Sequence, residues 1–275
     1  MLRTAKQLKG LKLRALDGEI GRIHEFLFDD AHWTVRYLVA DTGTWLTGRQ
    51  VLISPSALEP VDAQAGLLPV RLSQAQIEDS PPVSSDEPVS RQHERYFYGY
   101  YGWPNYWYGP MAWGASSYPL AHSPGPADAA LGSPGAPVDA PAGASGVSAE
   151  ETGDPHLRST AAVSGYHIGA SDGEIGHVED FIIDDETWAI RYIVVDTRNW
   201  WYGNQVLISP RWIKDIYWAE MKVSVDLTRE QIKAAPAYAA GSLDREYEAG
   251  LHHHYEREGY WQPVSRDSRS SGRSR

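Results

Sequence analysis

The sequence predicts a mainly β protein: two small β-barrels, each with a short C-terminal helix, joined by a long disordered linker. Three observations carry that prediction. A long segment occurs twice, its strands show hydrophobic alternation at period two, and the composition between the two copies changes abruptly. The duplicated segment runs DGEIGRIHEFLFDDAHWTVRYLVADTGTWLTGRQVLISP from Asp17 and returns as DGEIGHVEDFIIDDETWAIRYIVVDTRNWWYGNQVLISP from Asp172. The offset is 155 without a gap, and 22 of the 39 aligned positions are identical. The register continues into LSQAQI from Leu72 and LTREQI from Leu227. After a one-residue slip Arg91, Glu94, Tyr101, Tyr106 and Trp107 meet Arg245, Glu248, Tyr255, Tyr260 and Trp261. A whole domain is therefore duplicated, since solenoid repeats run only about 20–50 residues.

Each copy opens on a tight-turn dipeptide, Asp17-Gly18 or Asp172-Gly173, that leads into a strand. Gly21 and Gly176 interrupt that strand, which marks a bulge or a close backbone approach. Glu19 to Phe28 and Trp33 to Asp41 read as a hairpin around the polar turn Asp29-Asp30-Ala31-His32. Its second strand places Trp33, Val35, Tyr37, Val39 and Asp41 on one face and Thr34, Arg36, Leu38 and Ala40 on the other. The copy keeps this period as Trp188, Ile190, Tyr192, Val194 and Asp196, with Arg191 matching Arg36. A third strand, Gln50 to Ser54 or Gln205 to Ser209, ends at Pro55 or Pro210. A further strand includes Val70 to Leu72, matched by Lys222 to Leu227. Ser73 with Gln76, and Thr228 with Gln231, have capping-box spacing and open a short helix. Short strands, regular turns and one closing helix indicate a small barrel.

These residues resemble the PRC-barrel family, named after the cytoplasmic domain of the photosynthetic reaction-centre H subunit. The resemblance rests on the DGEIG turn, the strand ending in Asp29-Asp30, the Arg36-Tyr37-Leu38-Val39 strand and the VLISP strand. It covers about residues 8–80 and 163–235. It implies a compact, largely antiparallel barrel in each copy. The membrane helix of the H subunit has no counterpart here, and the tandem arrangement differs from that of the ribosome-maturation relative. The expected organisation is a first domain over 1–107 with an aromatic C-terminal flap and a Pro/Gly/Ala/Ser-rich linker over 108–162. A second domain follows over 163–262, then a disordered Arg/Ser tail over 263–275. A flexible linker of that length spans on the order of 40 Å.

Composition narrows the function. The chain has 275 residues, 25 basic and 36 acidic, for a net charge of −11. That balance argues against broad nucleic-acid binding, which needs a basic face to displace counterions. The absence of cysteine removes disulfides, thiolate catalysis and Cys-ligated zinc. No apolar stretch approaches the ~20 residues that span a bilayer, so the expected compartment is the cytoplasm, with peripheral membrane association left open.

Chemistry is weakly signalled. Acids recur in pairs, Asp17/Asp172, Glu19/Glu174, Glu25/Asp180, Asp29/Asp184, Asp30/Asp185 and Asp41/Asp196. They suit turns and cross-strand pairing, with Glu25 and Asp41 as expected partners of Arg36, better than general acid–base work. His24 and His32 are not kept in the second copy, and His252-His253-His254 reads as adventitious metal affinity. No catalytic, cofactor-binding or metal residue is therefore assigned.

The stronger lead is aromatic. Tyr96 to Tyr118 holds 11 aromatic residues in 23. The competing reading is a flap that covers its own barrel, with Tyr106-Trp107 and Tyr260-Trp261 as a shared docking pair. The candidate interaction residues are Tyr98, Tyr100, Tyr101, Trp103, Tyr106, Trp107, Trp200, Trp201, Tyr260 and Trp261. The sequence thus points to a non-catalytic protein-binding or assembly module, with a protein partner or barrel self-association. Two alternatives are an accessory to a membrane photosynthetic or electron-transfer complex, and an RNA- or ribosome-associated factor.

Overall fold

A computed structural model describes residues 1–81, 89–119, 156–197, 205–241 and 243–262. In chain order the elements are β1 (Leu2–Thr4), α1 (Ala5–Leu8), β2 (Lys12–Arg14), β3 (Glu19–Asp29), β4 (Thr34–Asp41), β5 (Gln50–Ile53), β6 (Leu67–Pro69), α2 (Gln74–Glu78) and α3 (Arg91–Tyr101). The second repeat gives β7 (Leu157–Ser159), α4 (Thr160–Val163), β8 (His167–Ala170), β9 (Gly173–Asp184), β10 (Ile190–Asp196), β11 (Gln205–Ile208), β12 (Ile213–Tyr217), β13 (Lys222–Val225), α5 (Arg229–Lys233) and α6 (Arg245–His254). The protein is mainly β and forms two sheets. One runs β5-β4-β3-β2-β6 with β7 added along β3. The other runs β11-β10-β9-β8-β13-β12 with β1 added along β9. Neither sheet closes into a barrel among the described residues.

The chain divides into two compact units that do not coincide with the repeats. The first is Met1–Gly165 with Glu179–Ile193, and the second is Tyr166–Val178 with Val194–Arg275. In the first unit, β3 and β4 form the expected hairpin, with Leu27 opposite Tyr37 and Ile23 opposite Ala40. Seven of the eight β4 residues are buried, so both of its faces are covered rather than one. Large aliphatic side chains such as Leu38 each stabilise by about 1.5–3 kcal/mol when fully buried. Gly21 explains the break foreseen in β3. Its φ is +125°, and a Cβ there would drive into the Asp41 carbonyl oxygen. Gly176 meets Asp196 in the same way in the second unit, at φ +150°.

The helix signals hold. Ser73 accepts from the Gln76 N–H while Gln76 reaches back to the Ser73 N–H, and Thr228 and Gln231 repeat the arrangement. The strand expected over Val70–Leu72 lies earlier, at Leu67–Pro69, because Leu72 already leads into the Ser73 cap. Val70 keeps a single bridge to Leu58. In the second unit β13 runs parallel to β8 and antiparallel to β12. Its core gathers Ile168, Ile175, Leu207, Val223, Leu227, Ile232 and Leu251.

The linker assignment over 108–162 is corrected at both ends. Trp113 is buried, and 157–163 form β7 and α4 because Ser159 caps α4 and pairs opposite Leu27. Residues 120–155, the tail over 263–275 and Trp200-Trp201 lie outside the described residues.

Candidate interaction site

The aromatic segment begins with helix α3, whose N-terminus is capped by Ser90 accepting from the His93 N–H. This helix places Glu94, Phe97 and Tyr98 inward, all fully or almost fully buried. The Glu94 carboxylate accepts from the Tyr37 hydroxyl at 2.9 Å and the Tyr106 hydroxyl at 2.7 Å, and pairs with Arg91 at 3.0 Å. Two phenols and a guanidinium therefore satisfy a buried charge that would otherwise be costly. Burial drives the Tyr37 hydroxyl well above its ordinary range, and the Glu94 charge adds to this. Tyr106 and Tyr98 are raised for the same first reason, burial.

Gly102 ends the helix in a left-handed conformation, and the chain then folds back. Tyr101 stacks on Trp103 at 4.4 Å, and Phe97 meets Tyr37 edge-on at 5.3 Å. Arg91 lies 4.5 Å from the Trp107 ring. Beneath this cover sits Arg36, fully buried. Its Nε donates to Asp29 at 2.5 Å, while Nη1 and Nη2 have no hydrogen-bond acceptor among the described residues. The rings of Tyr106 at 3.8 Å and Trp113 at 4.8 Å cover the guanidinium instead. Arg36 thus pairs with Asp29, not with Glu25 or Asp41 as expected. Glu25 accepts from Ser159, and Asp41 accepts from the Gly43 N–H.

The other repeated acids are committed too. Asp17 and Asp172 accept the Gln74 and Arg229 backbone N–H groups, at 2.7 and 2.8 Å. Asp184 accepts from Arg191 and Thr187, Asp30 pairs with Arg158, and Asp185 with Arg3. Burial alone would raise the Asp29 carboxyl, but hydrogen bonds from His32 and the Arg36 charge hold it below the usual carboxylate range. Asp184 is lowered likewise, by Arg191 and Thr187 against burial. At Asp180 burial wins and raises the carboxyl, despite the N–H groups of Phe181 and Lys6.

The second repeat rebuilds the flap within its own unit. Glu248 is buried and pairs with Arg245 at 3.0 Å, and Arg245 lies 4.4 Å from the Trp261 ring. His252 occupies the place of Tyr98 and packs at 5.2 Å from Trp212 and 5.0 Å from Trp261. His254 Nε2 lies 2.7 Å from the Gln231 carbonyl oxygen. Successive residues of a helix point about 100° apart, so the three histidines diverge and do not gather on one ion.

Of the residues proposed as interaction anchors, Tyr98, Trp103 and Tyr106 are interior and form the unit's own cover. Tyr101, Trp107, Tyr260 and Trp261 are half-buried, and Tyr100 is 40% exposed. The open aromatic surface is formed instead by Tyr96 (69% exposed), Tyr108 (64%) and Tyr118 (55%), with Met111. The sequence marks the segment that holds them, Tyr96 to Tyr118, but they are not among the anchors named from it. Helical spacing gives the signal for Tyr96, which falls outside the buried stripe of α3 set by Glu94, Phe97 and Tyr98.

A cavity of about 300 Å³ in the second unit is lined by Gly169, Gly173, Glu174, Tyr217, Glu220 and Lys222, and carries charges of both signs. No protein-family model and no curated protein matches this chain.

Proposed function

We propose that this protein is a non-catalytic assembly module built from two PRC-barrel-like repeats, binding a protein partner through the outer face of the first repeat's aromatic flap. One observation carries the reading: the flap is divided into a buried layer and an open one. Phe97, Tyr98, Trp103, Tyr106 and Trp113 cover their own unit, while Tyr96, Tyr108, Met111 and Tyr118 stay on its surface. Tyrosines offer large amphipathic contact area at low conformational cost, which suits protein recognition. The second repeat does not keep this open layer: Gly250 stands at the position of Tyr96, and Gln262 at that of Tyr108.

The absence of a catalytic role is supported by the commitments of the acids. The Glu94 carboxylate is sealed beneath phenols, and Asp17, Asp172, Asp29, Asp184, Asp30 and Asp185 serve turns or ion pairs. A net charge of −11 weighs against the RNA-associated alternative. No helix among the described residues is long and apolar enough to cross a membrane.

The test is affinity capture from native cells with the wild-type chain and with Tyr96→Ser, Tyr108→Ser and Tyr118→Ser combined. A partner retained by the wild type and lost by the triple variant supports the reading. Equal retention by both forms, or none by either, overturns it.

A further inference from the structure

The first unit is held by strand exchange between the two repeats, and that exchange has two-fold character. Through the strands of the first repeat, each residue corresponds to the residue 155 positions later. Strand β1 pairs antiparallel with β9, placing Leu2 opposite Asp184 and Thr4 opposite Ile182. Strand β7 pairs antiparallel with β3, placing Leu157 opposite Asp29 and Ser159 opposite Leu27. These are one contact with the repeats interchanged. Arg3 pairs with Asp185 at 2.8 Å, and Arg158 with Asp30 at 3.1 Å, its image. The Val35 N–H donates to the Trp188 carbonyl at 2.8 Å, and the Ile190 N–H donates to the Trp33 carbonyl at 2.7 Å. Thr34 bridges Ala189, its own counterpart, so the two-fold axis passes between them.

Even the backbone exception is shared. Trp33 and Trp188 both adopt positive φ, +52° and +60°, a conformation a bulky residue holds only when its surroundings over-determine it. The surroundings here are the exchanged hairpins, with Trp33 stacked on Phe28 at 5.2 Å and Phe28 in turn 5.9 Å from Phe181.

We propose that this exchange surface is isologous and self-complementary, so that it holds the repeats together without the chain that connects them. Its partner is a second copy of the same surface. Substituting either repeat by the other returns Arg opposite Asp, Leu opposite Asp and Trp carbonyl opposite N–H. Such equivalence defines a closed two-fold contact, as in a symmetric dimer. The mixed pair makes contacts that two like repeats would not all keep. Lys6 pairs with Glu179, where the first repeat has His24. Trp113 donates to the Thr187 carbonyl at 3.0 Å. Asp180 accepts the Lys6 N–H at 3.3 Å. This inference is independent of the flap partner, since the repeats can remain joined whether or not Tyr96, Tyr108 and Tyr118 bind anything.

The experiment uses the full chain with a protease site inserted between Gly132 and Ser133. After cleavage, the two fragments are followed by native size-exclusion chromatography and light scattering at micromolar concentration. The expected result is one co-eluting species of unchanged mass. Two cleaved preparations with different tags on their N-terminal fragments are then mixed. Pull-down of one tag is expected to recover a minor amount of the other, reporting first-repeat pairs. Arg3→Glu with Arg158→Glu should weaken fragment association at least about tenfold, because like charges then face each other. Adding Asp30→Arg and Asp185→Arg should restore it, which separates specific pairing from misfolding. Fragments that part on cleavage, fragments that never pair with their like, or a charge reversal without rescue would each overturn the proposal.

Discussion

Arg36 shows how a residue's type can be legible while its role is not. The strand pattern places it on β4 opposite the Tyr37 face, and the nearest acids along the alternation are Glu25 and Asp41. Its real partner is Asp29, across the hairpin end, and its distal nitrogens rest on Tyr106 and Trp113 contributed from a distant segment. No period in the sequence encodes that meeting. Replacing Arg36 by Met leaves Asp29 buried with His32 as its remaining partner and should cost about 3 kcal/mol, read by urea denaturation. Lysine should not rescue it, because an ammonium lacks the flat guanidinium that the rings cover. Gly21→Ala and Gly176→Ala should each destabilise more than Gly10→Ala, since Gly10 has open space around it.

The titrating groups also act at this scale. Asp29 and Asp184 have folded pKa values below their unfolded ones, so their stabilisation is full above about pH 4 and is lost as pH falls further. Burial lowers His93 and His252, so their contribution is lost earlier, as pH drops below about 6.5. Asp180 is raised and works in the opposite sense, adding stability as pH falls through its folded value. Denaturation midpoints followed from pH 7 to 3 should therefore fall in two stages. The Asp180→Asn variant should show a steeper fall between them.

At the scale of elements, local chemistry was the reliable guide. The β3–β4 hairpin, the third strand and both capped helices follow from alternation, turn residues and Ser/Thr–Gln spacing, all of which act within a few residues. Ser73→Ala and Thr228→Ala should each cost about 1 kcal/mol, and their effects should add, because the two caps share no partner. Helices α3 and α6 were hidden by their tyrosines and histidines, whose helix propensity is ordinary. They form because one face of each is buried. The candidate site was half legible for the same reason. The sequence marks the aromatic segment, but tertiary burial decides which rings cover the unit and which remain open. Tyr106→Phe should cost about 1–2 kcal/mol by removing one donor to buried Glu94. Tyr108→Phe, at the surface, should be nearly neutral in the same measurement.

At the scale of the whole molecule, duplication was plain from the offset of 155, but the exchange between copies was not. Leu2–Thr4 and Leu157–Ser159 are three-residue strands, too short to show a period, and their partners lie in the other copy. One consequence concerns the order of synthesis. Strand β1 is made before its mate: the segment it pairs with, ending at Asp184, emerges about 180 residues later. At about 5–20 residues per second the nascent chain carries that strand without its mate for on the order of ten to forty seconds. Strand β7 meets a β3 already made, so the ribosome delivers the two halves of a symmetric contact at very different times.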